Sequence, residues 1–175
     1  MSTSERKNTP TVPAARIEFE PDDRQWILAQ IDEMLTTGQL TLGQHGRALE
    51  EEFAKLCGVS HAIAVGSGTC ALEIILRAQD VAGKDVLVPA NTFFATAAAV
   101  VHAGGTPVLM DTDPDTFGTH PDEIERRLTP NTAGAIVVHI GGIVSPHMKA
   151  IQERLAERNL WLAEDAAHAH GSSFG

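Results

Sequence analysis

Apolar residues Ile27, Ile31, Met34 and Leu35 recur at helical spacing behind Pro21, Asp22 and Asp23, which predicts a helix over Pro21–Thr37 that Gly38 stops. After a short loop over 39–44, Leu49, Phe53 and Leu56 predict a second amphipathic helix, closed by Gly58 where a left-handed residue is needed. Glu50, Glu51 and Glu52 form its solvated face. The pattern then changes: short apolar runs at 61–65, 86–88, 107–110, 135–139 and 161–164 alternate with helical stretches at 71–78, 94–103, 122–128 and 146–158. Strands alternating with helices predict an α/β fold with a mostly parallel sheet. Right-handed crossovers would lay helices on both faces, giving three α/β/α layers.

The last strand pattern ends on two carboxylates, in Trp161-Leu162-Ala163-Glu164-Asp165-Ala166-Ala167-His168-Ala169-His170-Gly171. A buried parallel strand of this kind delivers Asp165 to the carboxyl edge of the sheet, where ligands of open α/β folds bind. A carboxylate held there with little solvent requires a counter-charge or donors, and no arginine follows nearby, so a ligand partner is the sharper reading. Asp165 with His168 and His170 also has the chemistry of metal ligands, although one short segment rarely supplies a coordination shell.

Two further stretches open onto the same edge. Gly66-Ser67-Gly68-Thr69 lies between the first strand pattern and a helix starting near Cys70. Small residues there let the backbone approach a ligand, and the N–H groups of the helix start, with the Thr69 hydroxyl, form a phosphate cradle. A tight turn capped by Ser67 or Thr69 explains the same residues. Pro89-Ala90-Asn91-Thr92-Phe93-Phe94 follows the next strand, and two adjacent phenylalanines cannot both face one core stripe, which leaves one to cover a flat ligand.

Charge and composition narrow the class. At 175 residues, 43% of them hydrophobic, the chain buries enough surface for one ordinary domain. A formal charge of -10 argues against nucleic acid or an anionic membrane as the main partner. Residues 1–14 read as a flexible polar tail carrying Glu5, Arg6 and Lys7, neither signal peptide nor membrane span, so a cytoplasmic protein is expected. Cys57 and Cys70 show no metal or redox spacing and are expected to be buried free thiols.

Taken in order, Thr41-Leu42-Gly43, Leu49-Glu50-Glu51-Glu52-Phe53, Gly66-Ser67-Gly68-Thr69-Cys70-Ala71-Leu72, Pro89-Ala90-Asn91-Thr92-Phe93 and Glu164-Asp165-Ala166-Ala167-His168-Ala169-His170-Gly171 resemble the DegT-type (DegT/DnrJ/StrS) sugar aminotransferases. These are pyridoxal 5'-phosphate (PLP) enzymes of fold type I. The resemblance implies that Gly68 and Thr69 hold the PLP phosphate, that Phe93 stacks on the ring, that Asp165 pairs with the pyridinium nitrogen and that His168 lies close to the ring. It implies no metal. It also implies an intact enzyme that is a homodimer and moves an amino group from an amino-acid donor to a nucleotide-linked keto-sugar.

The family's Schiff-base lysine lies on a loop beyond the aspartate motif, and Lys7, Lys55, Lys84 and Lys149 fall elsewhere in the pattern. Residues 15–175 are therefore expected to be the N-terminal part of a PLP-binding large domain, without the lysine loop and small domain, and to bind PLP only non-covalently. The run at 61–65 is expected to lack its usual sheet neighbours. The other reading is a non-catalytic relative that binds a phosphate-bearing ligand or a partner chain.

Overall fold

The computed structural model describes Pro13 and residues 16–173. The expected tail over 1–14 lies, Pro13 apart, outside the described residues. Two compact units divide the chain between Ala48 and Leu49. In the first, α1 (Pro21–Thr37) ends at Gly38, which takes φ 71° and donates its N–H to the Met34 carbonyl. None of the α1 residues is buried. The next helix, α2 (Gln44–Cys57), crosses the division, and Gly58 follows it at φ 66°.

The second unit holds the sheet. Its elements run α3 (Gly68–Ala78), β1 (Asp85–Pro89), α4 (Ala95–His102), β2 (Thr106–Met110), α5 (Pro121–Arg127), β3 (Thr132–Val138), a 3₁₀ turn (Ile140–Gly142), α6 (Met148–Ala156) and β4 (Trp161–Asp165). The four strands pair in parallel in the order β2-β1-β3-β4. Strand alternation sorts the core onto two faces. Val86, Val88, Ile136, Trp161 and Ala163 pack with Leu72 and Leu76 of α3 and Ala99 and Val100 of α4. Leu87, Ala135, Val137 and Leu162 pack with Ile124 of α5 and Met148, Ile151 and Leu155 of α6. This is the expected three-layer α/β/α arrangement.

Gly134 sits opposite Trp161 in the β3–β4 register. A Cβ at this position would run into the indole and come within 2.5 Å of the Trp161 carbonyl oxygen. The glycine thus lets the large ring lie flat on its neighbour, close under the strand that carries Asp165.

Two expectations need correction. Residues 61–65 form no strand; the segment is coil, with Ile63 78% exposed and Ala64 N–H bonded to the Glu50 carboxylate at 2.9 Å. Its apolar composition suits a strand, but a parallel strand exists only beside a neighbour, and neither sheet edge offers it a ladder. Cys57 and Cys70 are exposed, not buried. Cys57 ends α2, whose Leu49 and Leu56 also remain exposed, and Cys70 lies in the first turn of α3, short of the inward-facing Leu72 and Leu76. Helical spacing located the apolar stripes, but no layer covers them there among the described residues.

Candidate active site

Chain direction gathers the chemistry. The turn at 79–84 carries α3 straight into the amino end of β1, so α3 runs against the strands and its first residues lie at the carboxyl edge. The loops after β1, β3 and β4 open onto that edge by definition. Asp165, the last residue of β4, has the same parity as Trp161 and Ala163 and so belongs to the face covered by α3 and α4. The start of α3, the 90–94 turn before α4 and Asp165 thus share one edge and one face.

At the start of α3, the Ser67 hydroxyl accepts the Cys70 N–H at 3.2 Å, and the Ser67 carbonyl accepts the Ala71 N–H at 3.0 Å. The cap is therefore Ser67, one of the two candidates. The Gly68 and Thr69 N–H groups have no acceptor among the described residues. A Cβ on Gly68 would meet no atom within 4 Å, so the helix start faces open space. Capping and anion binding use different donors here, and the two readings of this turn coexist.

Asp165 is half-buried, and its Oδ1 accepts the Ala167 N–H at 3.1 Å. It forms no ion pair among the described residues, and its main-chain carbonyl accepts the His139 N–H at 3.0 Å. The carboxylate is oriented by its own turn and left without a cation. His168 is exposed, and its Nδ1 accepts the Gly141 N–H at 3.1 Å, which places its remaining proton on Nε2. This tie brings the turns after β3 and β4 so close that a Cβ on Gly142, at φ 81°, would stand 2.8 Å from the His168 carbonyl oxygen. His170 instead sets its ring edge against Phe53, 5.8 Å between centroids.

Phe93 and Phe94 are 64% and 72% exposed, with rings tilted together at 4.5 Å. The expectation that one would be free is exceeded, since neither enters the core and α4 begins only at Ala95. No hydrogen bond joins Gly68, Thr69, Phe93, Asp165 and His168 to one another; they surround the same edge from three loops.

Two groupings were not foreseen. His139 is 4% exposed, and its Nε2 lies 3.0 Å from Oε2 of Glu164, on the α5–α6 face. Asp113, His120 and His147 converge in the loops after β2 and β3. Their signal was topological: residues distant in sequence that each follow a parallel strand must emerge on the same edge.

Comparison with known proteins accords with this geometry. Residues 21–175 match the family described as the DegT/DnrJ/EryC1/StrS aminotransferase family. The GDP-perosamine synthase of Caulobacter vibrioides is 36% identical over 166 residues, covering 94% of this chain and 44% of that protein. The UDP-N-acetyl-3-dehydro-alpha-D-glucosamine 3-aminotransferase of Acidithiobacillus ferrooxidans is 40% identical over 158 residues, covering 90% and 42%. NtdA from Bacillus subtilis, solved with bound cofactor PMP, superposes with a TM-score of 0.82 at 35% identity, covering 87% of this chain and 35% of that one. The chain thus spans less than half the length of the curated relatives it matches, over their N-terminal part. By sequence and by fold, the chain belongs to the DegT/DnrJ/EryC1/StrS aminotransferase family.

Proposed function

We propose that this chain supplies the cofactor-anchoring part of a PLP-dependent aminotransferase acting on a nucleotide-linked keto-sugar with an amino-acid donor. The observation that carries the reading is the pairing of two unmet electrostatic demands on one edge and face: free N–H donors at the start of α3 and an unpaired carboxylate at Asp165. A small molecule with a phosphate at one end and a cationic ring nitrogen at the other satisfies both. Bound PLP supplies an electron sink through which an amino group passes from donor to acceptor.

The residues divide the work. The Gly68 and Thr69 N–H groups, aided by the positive end of the α3 dipole, hold the phosphate dianion. The Asp165 carboxylate faces the ring nitrogen and keeps its proton in place, since an anion beside a basic nitrogen favours the protonated form. Phe93 covers one ring face. His168, held through Nδ1 by the Gly141 N–H, presents Nε2–H at the same edge. Lys84 precedes β1 at the amino edge and Lys149 lies on α6, so the part these residues play is binding and orientation. The same proposal includes a cytoplasmic homodimer; Trp26, Leu28 and Leu35 of α1 are more than half exposed, which suits a helix that a second subunit covers. No helix among the described residues is long and apolar enough to cross a membrane.

Gly68→Val tests the phosphate cradle. Because a Cβ there meets nothing within 4 Å, the substitution leaves stability within about 0.5 kcal/mol. It should nonetheless obstruct an approaching phosphate and lower affinity for pyridoxamine phosphate at least tenfold. Unchanged affinity in a folded Gly68→Val chain would remove the cradle from the proposal.

A further inference from the structure

The opposite face of the sheet carries a second cluster that the cofactor reading does not use. Asp113 and His120 bracket the loop between β2 and α5, which the single antiparallel bridge Thr112–Thr119 closes. Within it the Asp113 N–H reaches the Gly118 carbonyl at 3.0 Å, and the Phe117 N–H reaches the Asp113 carbonyl at 2.8 Å. His147 immediately precedes α6. One potential ligand atom from each of the three lies within 4.8 Å of the other two. The imidazole centroids are 4.7 Å apart with the rings edge to face, and His147 Nε2 is 3.9 Å from Asp113 Oδ2.

We propose that Asp113, His120 and His147 form a binding site for a divalent transition-metal ion of the Zn²⁺/Co²⁺ kind. Two imidazoles and one carboxylate suit these borderline ions, whereas Mg²⁺ and Ca²⁺ prefer oxygen-only shells. Zinc bonds of about 2.0–2.2 Å set tetrahedral ligand atoms roughly 3.3 Å apart, so the 3.9 Å pair closes by small side-chain rotations. Three protein ligands leave a coordination position for water.

The surroundings prepare each ligand. Asp113 Oδ1 accepts the Asp115 N–H at 2.8 Å, leaving Oδ2 toward His147. That backbone bond is the main cause that holds the Asp113 carboxyl below its ordinary range, against the opposing effect of desolvation, so it is anionic at neutral pH. His120 Nδ1 now accepts the Asp122 N–H at 3.2 Å. Coordination through Nε2 needs a proton on Nδ1, and Asp122 Oδ2, 3.6 Å from that nitrogen, is placed to accept it in the manner of carboxylates behind metal-bound histidines. The bound ion would clamp the β2–α5 loop to the start of α6. Asn91 Nδ2 donates to the Phe117 carbonyl at 3.2 Å, so the clamped loop is also tied to the turn that carries Phe93.

Cobalt titration of the 175-residue chain tests the site, followed by the visible d–d bands of Co²⁺. The exposed thiols are removed beforehand by Cys57→Ser and Cys70→Ser, because they would bind the probe themselves. The proposal expects one Co²⁺ per chain, displaced by Zn²⁺. His147→Gln, Asp113→Asn and His120→Asn should each weaken binding at least tenfold, the last retaining a side chain able to cap α5. Asp122→Asn, which leaves all three ligands in place, should weaken it by about tenfold through loss of the proton acceptor. His61→Gln, at an exposed histidine outside the cluster, should change nothing. If the histidine variants unfold, the Asp113→Asn and Asp122→Asn titrations decide. Absence of saturable binding at millimolar Co²⁺, or one-to-one binding that survives the Asp113 and Asp122 substitutions, overturns the proposal.

Discussion

Gly134→Ala probes how the sheet holds the candidate site. The new Cβ would collide with the Trp161 indole, and the indole alone could rotate away. The Trp161 carbonyl oxygen cannot: it stands 2.5 Å from the added carbon, and real Cβ contacts essentially never fall below 3.0 Å, so β4 must retreat by at least about 0.5 Å. β4 is an edge strand whose only neighbour is β3, and the Gly134–Trp161 pair opens a register that ends at Val138–Asp165. Alanine also stiffens the unfolded chain and packs better in a strand, a gain of about 0.5–1 kcal/mol. Overpacking of this kind costs about 1–3 kcal/mol and a displaced backbone adds to it, so the net expectation is a loss of about 2 kcal/mol. In urea, with a slope near 2 kcal/mol/M, that lowers the unfolding midpoint by about 1 M at unchanged slope. Trp161→Val should shrink the penalty in a double-mutant cycle without abolishing it, because the carbonyl contact remains. A neutral or stabilising Gly134→Ala would refute the packing argument, and with it the claim that Gly134 sets the position of β4.

Three other outcomes can be checked alongside. Glu123 is buried beneath the loop after β2, and its carboxylate accepts the Asp111 N–H at 2.9 Å and meets Arg126 and Arg127. That backbone bond first, and the two arginines after it, outweigh desolvation and lower its pKa below 4.5. Its contribution is therefore present above about pH 4.5 and lost as pH falls through the folded value; Glu123→Gln should cost about 1–3 kcal/mol at pH 7, with the gap to wild type narrowing below pH 4 in chemical denaturation. Phe93→Ala should weaken binding of pyridoxamine phosphate by on the order of 1 kcal/mol, read by calorimetry. If Phe94→Ala weakens it and Phe93→Ala does not, the ring-facing residue is one position further on.

How much of this was legible in the sequence depended on whether a feature is local. Gly38 and Gly58 stop helices by their own backbone preference, and both take the left-handed conformation expected of them. The apolar runs at 86–88, 107–110, 135–139 and 161–164 became strands because each packs between two helical layers. The run at 61–65 has the same composition and no neighbour, and neighbours are not written in a local pattern. Cys57 and Cys70 misled for a related reason: spacing marks an apolar stripe but does not say whether anything covers it. The position of Asp165 at the carboxyl edge followed from strand and parity alone. The cluster of Asp113, His120 and His147 did not, because it needs the loops after β2 and β3 to meet, which only the strand order β2-β1-β3-β4 with α5 and α6 on one face specifies.

The central claim is that Asp165 and the start of α3 together hold the two ends of the cofactor, and calorimetric titration with pyridoxamine phosphate tests it most directly. This probe keeps the phosphate and the ring nitrogen but has no aldehyde, so it cannot condense with surface lysines and report a false site. The account predicts one equivalent bound by the 175-residue chain. Asp165→Asn should bind at least tenfold more weakly, about 1.4 kcal/mol, while unfolding at the same urea concentration as wild type. Equal affinity in the folded Asp165→Asn variant, or no saturable binding by the unaltered chain, would contradict it.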